Sequence, residues 1–304
     1  MAVPGRFGAV LTAMVTPFDE EGRLDLEAAV SLARWLVDNG NDGLVVAGTT
    51  GEAPVLSDGE KADLWRAVSE AVTVPVVAGA GTNDTRHSIE LTRAAEQAGA
   101  AAVLAVTPYY SRPSQAGLDA HFRAVAGATR LPVMIYDIPI RTGRKVAHDT
   151  LLGLAREVPN IVAVKDAASD VAGSARLLAE APSGFELYSG EDGLTLALLA
   201  VGESGLVGVA THWSGALHAE MLASFAKGDV EAARATNARL LESFAFETGD
   251  AAPNPIPAKA MMRVLGHRVG QCRLPMGTAP EGLEERARAV LANLGPDAPA
   301  PVGG

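Results

Sequence analysis

Gly205-Leu206-Val207-Gly208-Val209-Ala210 is the last of a series of short, apolar, β-rich runs, and its place in that series decides the fold. Seven runs precede it, at 9–15, 43–47, 75–78, 102–106, 132–136, 161–165 and 186–189. Amphipathic helical segments separate them, so the reading is roughly eight strands in repeated strand-helix units and a parallel sheet. The helices carry readable ends: Asp25 caps a helix that runs through Val37 and closes at Gly40, and Thr85 or Asp84 caps one that ends before Gly99. An open doubly wound sheet shares this alternation. The repeat count favours closure, because units spaced roughly 20 to 35 residues apart continue to Ala210 with no linker between them. Beyond Thr211 the pattern is helix alone, at 216–226, 230–246, 256–265 and 282–294. The expected architecture is therefore α/β, a TIM (β/α)8 barrel over residues 1–225 with a C-terminal helical appendix over 226–294. Residues 295–304, rich in Pro, Gly and Ala, are expected to be a frayed tail.

Bulk properties narrow the function. With 304 residues, 48% hydrophobic and 20% charged, the chain can bury a large core. A formal net charge of -11 repels a phosphate backbone, so nucleic acid is not an expected partner. Cys272 is the single cysteine, which rules out an intrachain disulfide and a cysteine metal cage and fits a reducing compartment. The opening residues Met1 to Arg6 lack the basic-then-apolar order of a secretory signal, and the longest apolar runs fall well short of the roughly 18 residues of a membrane span. A cytoplasmic protein without a membrane partner is expected.

In such a barrel, chemistry gathers at the carboxyl ends of the strands. Lys165 closes the apolar run Ile161-Val162-Ala163-Val164, which places an amine at the end of a buried strand. Burial lowers a lysine's pKa, and a neutral amine attacks a ketone to form a Schiff base. Tyr136 ends the strand before it, close enough for a phenol to serve that lysine as general acid and base. Gly48-Thr49-Thr50-Gly51-Glu52 follows the second strand, and its glycines let backbone amides turn toward a small carboxylate. Arg141 offers forked donors to another carboxylate. Of the adjacent phenols Tyr109 and Tyr110, at least one must face away from the barrel axis, so one of them is free to serve a neighbour. Each feature alone also has a bland reading: a hydrated turn lysine, a capped loop, a packed phenol or a surface ion pair. Gly79-Ala80-Gly81 begins like a dinucleotide fingerprint and fails at Asp84, where the third glycine should stand. The six histidines show no metal-ligand spacing, so no metal is expected.

Taken together, these segments resemble the pyruvate-dependent class I aldolase family. The resemblance runs from Thr12 to Phe18 through Gly48 to Glu52, Thr107 to Tyr110 with Arg112-Pro113, and Tyr136 to Arg141. It continues through Val164 to Ala167, Ser189-Gly190, and Pro253 to Pro257 with Lys259. It implies that Lys165 forms the Schiff base with pyruvate and that Tyr136 donates and accepts protons beside it. Thr49 would link the proton relay, and Tyr110 would be a phenol reached across a subunit interface. It further implies that Thr50 and the backbone of Val207 hold pyruvate and that Arg141 receives the carboxylate of an aldehyde. The implied reaction joins the pyruvate enamine to L-aspartate 4-semialdehyde, giving 4-hydroxy-tetrahydrodipicolinate in the lysine and diaminopimelate pathway. No diffusible cofactor is implied, and a homotetramer of paired dimers is. Ile140 stands where family members commonly have a small residue, which leaves open another pyruvate lyase or dehydratase acting on a sugar acid. In lysine-inhibited relatives an acidic residue binds the inhibitor's amine; here His87 stands at that place and Asn83 is kept, which implies weak or absent lysine feedback. A non-catalytic ligand-binding barrel and a dinucleotide oxidoreductase are the readings from other classes. The intact set Lys165, Tyr136, Thr49 and Tyr110 speaks against the first, and Asp84 against the second.

Overall fold

The computed structural model of the protein describes residues 5–302. The strands are β1 (Val10–Ala13), β2 (Gly43–Val46), β3 (Val76–Gly79), β4 (Ala102–Val106), β5 (Val133–Asp137), β6 (Ile161–Asp166), β7 (Glu186–Ser189) and β8 (Gly205–Gly208). They pair in parallel and in sequence order, and β8 returns to β1 to close the barrel. Closure needs the backbones to touch. Leu206 N–H donates to Ala9 O at 2.9 Å, and a Cβ on Gly205 would stand 2.1 Å from that same oxygen, so only glycine fits the seam.

The helices around the barrel are α1 (Leu26–Asp38), α2 (Asp58–Ala71), α3 (Thr85–Gln97), α4 (Gln115–Ala126), the short α5 (Pro139–Thr142), α6 (His148–Glu157), α7 (Val171–Glu180), α8 (Thr195–Leu199) and α9 (Thr211–Ala226). Three more follow: α10 (Val230–Phe246), α11 (Ile256–Val264) and α12 (Leu283–Leu294). The Asp25 carboxylate caps α1 by accepting from Ala28 N–H, and the Asp84 carboxylate, not the Thr85 hydroxyl, caps α3 by accepting from His87 N–H. Ser57 and Glu60 form a reciprocal capping box at the start of α2.

Alternate strand residues face two separate cores. Leu11, Val45, Val77, Leu104 and Met134 fill the barrel interior, while Val10, Leu44, Val46, Val103 and Ile135 pack outward against the helices. The barrel is thus a filled core, and the reaction space lies above it at the strand ends.

Three boundaries differ from the sequence reading by two residues or more. β1 ends at Ala13, because Val15 N–H leaves the ladder to donate to His212 Nε2 at 3.1 Å. β8 ends at Gly208, because the Asp192 carboxylate takes the next two amides, Val209 N–H at 2.9 Å and Ala210 N–H at 3.1 Å. α9 begins five residues before 216 and is kinked at Ser214, whose hydroxyl donates to Ala210 O at 2.7 Å. In the stretch expected to fray, Gly295–Asp297 forms a single 3-10 turn and Val302 N–H donates to Leu265 O at 2.8 Å; residues 303–304, like residues 1–4 of the opening segment, lie outside the described residues. Among the described residues no helix is long and apolar enough to cross a membrane.

Candidate active site

Lys165 and Tyr136 are register partners on adjacent strands β6 and β5, near the carboxyl end of each. Parallel pairing sends both side chains to the same side, and Lys165 Nζ lies 4.3 Å from the centroid of the Tyr136 ring. Gly190, just past β7, makes room for the lysine chain: a Cβ there would stand 3.1 Å from Lys165 Cε. Lys165 is 5% exposed, and among the described residues no carboxylate lies within ion-pair distance of its Nζ. Burial therefore lowers its pKa to about 8, with the more distant charges of Asp192, Glu191 and Glu247 opposing the shift and Arg141 adding to it. The same burial pushes the Tyr136 phenol up to about 12, against the pull of Arg141 and of the Thr49 hydroxyl beside it. At neutral pH the site holds an amine that deprotonates readily and a phenol that keeps its proton.

The loop after β2 is pinned from two sides. The Thr16 hydroxyl donates to Gly51 O at 2.6 Å, and a Cβ on Gly51 would crowd Ala47 Cα at 3.0 Å. Thr50 is buried, and its Oγ1 accepts from Asn254 Nδ2 at 2.9 Å, across 204 residues of sequence. Glu52 stands in the left-handed region at φ 58°, with Oε2 accepting from Arg273 N–H at 2.8 Å and Oε1 2.7 Å from Lys259 Nζ. The segment between β8 and α11 and the segment after α11 thus both hold this loop in place.

A cavity of about 490 Å³ opens beside this centre and is lined by Thr49, Tyr136, Arg141, Tyr109, Tyr110 and His87 among others. Arg141 lies on α5, and among the described residues it has no ion-pair partner, so its guanidinium is available to an incoming anion. Ile140 is 88% exposed and is not part of the lining, so its bulk points away from the space expected for the aldehyde's carboxylate. Tyr110 takes φ 72° and is 91% exposed at the cavity rim, while Tyr109 is half-buried, with its phenol raised by desolvation. Val207 is buried within the barrel, opposite Leu11 of β1. At the far side of the cavity His87 Nε2 lies 2.9 Å from both Asp58 oxygens, and Lys61 Nζ lies 3.7 Å from the same carboxylate.

The structure thus brings Tyr136, Thr49 and Arg141 around one cavity, with Lys165 against the Tyr136 ring outside its lining, Thr50 in the pinned loop and Tyr110 turned outward. Sequence reasoning missed the acidic group behind the lysine. It stopped at Ser189-Gly190, one residue short of Glu191 and Asp192, and the end of α10 gave no sign that Glu247 is buried beside them. His212, the second residue of α9, stands just past the end of β8. That ring is structural: Nδ1 donates to Val209 O, Nε2 accepts from Val15 N–H, and burial lowers its pKa to about 4, so it stays neutral. Among the described residues, no three His, Cys, Asp or Glu side chains are grouped to hold a metal ion.

With this geometry established, comparison with known proteins gives a consistent answer. The family model described as "Dihydrodipicolinate synthetase family" matches residues 6–294. A curated 4-hydroxy-tetrahydrodipicolinate synthase of Acidothermus cellulolyticus is 51% identical, over 96% of this chain and 94% of that protein. Among solved structures, the dihydrodipicolinate synthase of Cyanidioschyzon merolae with lysine bound superposes with a TM-score of 0.93 at 41% identity, covering 96% of this chain and 99% of that one. The chloride-inhibited enzyme of Acinetobacter baumannii complexed with pyruvate gives 0.90 at 34% identity, covering 95% and 99%. The chain belongs to the dihydrodipicolinate synthetase family.

Proposed function

We propose that the protein is a lyase that condenses pyruvate with L-aspartate 4-semialdehyde to form 4-hydroxy-tetrahydrodipicolinate, through a Schiff base on Lys165. One observation carries the reading: a buried amine without a carboxylate at ion-pair distance, facing a protonated phenol at the mouth of a barrel. The neutral Lys165 amine adds to the C2 carbonyl of pyruvate, and Tyr136 gives a proton to the departing hydroxyl as water leaves and the iminium forms. Tyr136 then takes a proton from C3. The resulting enamine attacks the aldehyde carbon, the new alkoxide is protonated, and the amine of the second substrate closes on C2, which expels the Lys165 amine. The Thr49 hydroxyl links the phenol to the second substrate, Thr50 and the backbone at Val207 hold the pyruvate carboxylate, and Arg141 receives the carboxylate of the aldehyde. Pyruvate itself becomes the covalent electron sink, so the cycle uses no diffusible cofactor and no metal.

The name shared by the curated relatives favours the semialdehyde over a sugar acid as second substrate. A phenol that is 91% exposed yet held at positive φ supports Tyr110 as a group that completes a neighbouring subunit's relay, and with it a homotetramer of paired dimers. A biosynthetic enzyme of this kind works in the cytoplasm. The place of the relatives' acidic residue is held by His87, and the one carboxylate on this side of the cavity among the described residues, Asp58, is already engaged by His87 and Lys61, which supports weak or absent inhibition by lysine.

Incubation with pyruvate and borohydride, followed by intact-protein and peptide mass spectrometry, tests the reading. A reduced pyruvyl adduct mapped to Lys165, absent from Lys165→Ala and forming faster as pH rises through about 8, is the expected result. Folded protein that takes up no adduct would remove the covalent mechanism.

A further inference from the structure

Behind Lys165, where the loop after β7 meets the end of β8, two buried carboxyls compete for one donor. Asp192 Oδ1 and Glu247 Oε2 each lie 3.1 Å from Ala210 N, and the second Asp192 oxygen holds Val209 N–H at 2.9 Å. The two side chains belong to residues 1% and 5% exposed, and they come from separate elements, the turn after β7 and the end of α10. Asp192 also packs directly on the strand end, since a Cβ on Gly208 would stand 2.5 Å from its Oδ1. Two full negative charges converging on a single amide in a dry site are strongly disfavoured, and a pair so placed keeps one proton between its two carboxyls.

The other ionisable groups facing the pair do not supply a neutralising charge. His218, on α9, has its Nε2 3.7 Å from Asp192 Oδ1 without a hydrogen bond, and burial holds the ring below its ordinary pKa, so it stays neutral. Glu191 adds further negative charge and is itself raised, first by desolvation and then by Asp192. Lys165 and Arg141 are the cations on the cavity side. Desolvation and the neighbouring carboxylates hold Glu247 protonated well above the usual carboxylate range.

We propose that Asp192 and Glu247 are positioning residues that share a single proton, fix the amides at the end of β8, and present one lasting negative charge behind Lys165 that steadies its cationic iminium. This rests on the Schiff-base reading only for its last clause. Glu247→Gln leaves the charge on Asp192, whereas in Asp192→Asn desolvation and Glu191 keep Glu247 protonated and the charge is lost. The double variant loses it as well.

Two measurements test the proposal. Difference infrared spectroscopy at neutral pH should show the C=O stretch of a protonated, buried carboxyl in the unaltered protein, and this band should vanish in Glu247→Gln and persist, shifted in frequency, in Asp192→Asn. The pH midpoint for alkylation of Lys165 by acrylonitrile, read by peptide mass spectrometry, should fall by roughly half a pH unit or more in the double variant. Asp192→Asn should move it nearly as far, and Glu247→Gln by less than half as much. Glu203 is a second buried carboxyl held protonated, so the decisive comparison is between the unaltered protein and the variant: a band unchanged in Glu247→Gln, or a double-variant midpoint equal to that of the unaltered protein, would overturn the proposal. If the double variant does not fold, the infrared comparison decides alone. Neither readout needs pyruvate, so failure to trap pyruvate would strike the aldolase reading and leave the shared proton standing.

Discussion

Two buried lysines, one at the mouth of the barrel and one at the seam where the last helices meet it, show what burial does and does not make of an amine. Lys165 is 5% exposed and Lys259 0% exposed. Each places its Nζ over an aromatic face, 4.3 Å from the Tyr136 centroid and 4.1 Å from that of Phe18, and in each desolvation lowers the pKa. The difference lies in compensation. At the seam Lys259 Nζ stands 2.7 Å from Glu52 Oε1 and donates its aligned hydrogen bond to Gln271 O at 3.0 Å, while Arg273 covers the same Phe18 ring at 4.2 Å. At the mouth, among the described residues, Lys165 has neither an ion pair nor a hydrogen bond at its nitrogen. A compensated buried amine is a clamp, whereas an uncompensated one is free to act as the nucleophile proposed above.

Exchanging each lysine for methionine separates the two. Lys165→Met should reduce turnover at least about 10³-fold while leaving the melting temperature unchanged or higher, since an apolar chain replaces a buried ammonium without a partner. The sign of its pH dependence is fixed. The amine titrates at about 8 when folded and at 10.5 when unfolded, so between those values the unfolded chain binds more protons and stability rises with pH. The stability advantage of Lys165→Met over the unaltered protein is therefore full below pH 8 and fades toward 10.5, which denaturation across pH would check. Lys259→Met should do the opposite. It strands Glu52 as a buried charge and should cost about 3–5 kcal/mol by urea titration, while protein that remains folded still takes up pyruvate at Lys165. If Lys259→Met matched the unaltered protein in stability, the distinction between clamp and nucleophile would fail. The smallest effect belongs to Phe18→Leu, which removes the ring between two cations and should cost about 1–2 kcal/mol in the same titration with Lys165 trapping intact.

The clamp and the nucleophile were not equally legible in the sequence. Strand order, barrel closure and the placement of Lys165 and Tyr136 follow from local signals: an apolar run, the polar residue that ends it, and the helix caps between runs. The barrel site could be read because parallel pairing converts equivalent positions at strand ends into spatial neighbours. The seam could not. Glu52 with Lys259, Thr50 with Asn254 and Asp192 with Glu247 are contacts between side chains far apart in sequence, and neither hydrophobic period nor capping pattern records them. The same limit explains the overlong β8, whose apolar residues Val209 and Ala210 continue the run while a distant carboxylate, not a neighbouring strand, receives their amides.

The bond from Asn254 to Thr50 has a consequence for the order in which the molecule is made. A ribosome releases every strand of the barrel, and the lysine itself, well before it reaches Asn254 and Lys259. A nascent chain can therefore close its sheet while the loop after β2 has Thr16 but still lacks Asn254 and Lys259. The scaffold can close first, and the loop proposed to hold pyruvate takes its final shape only once the chain has been made through α11.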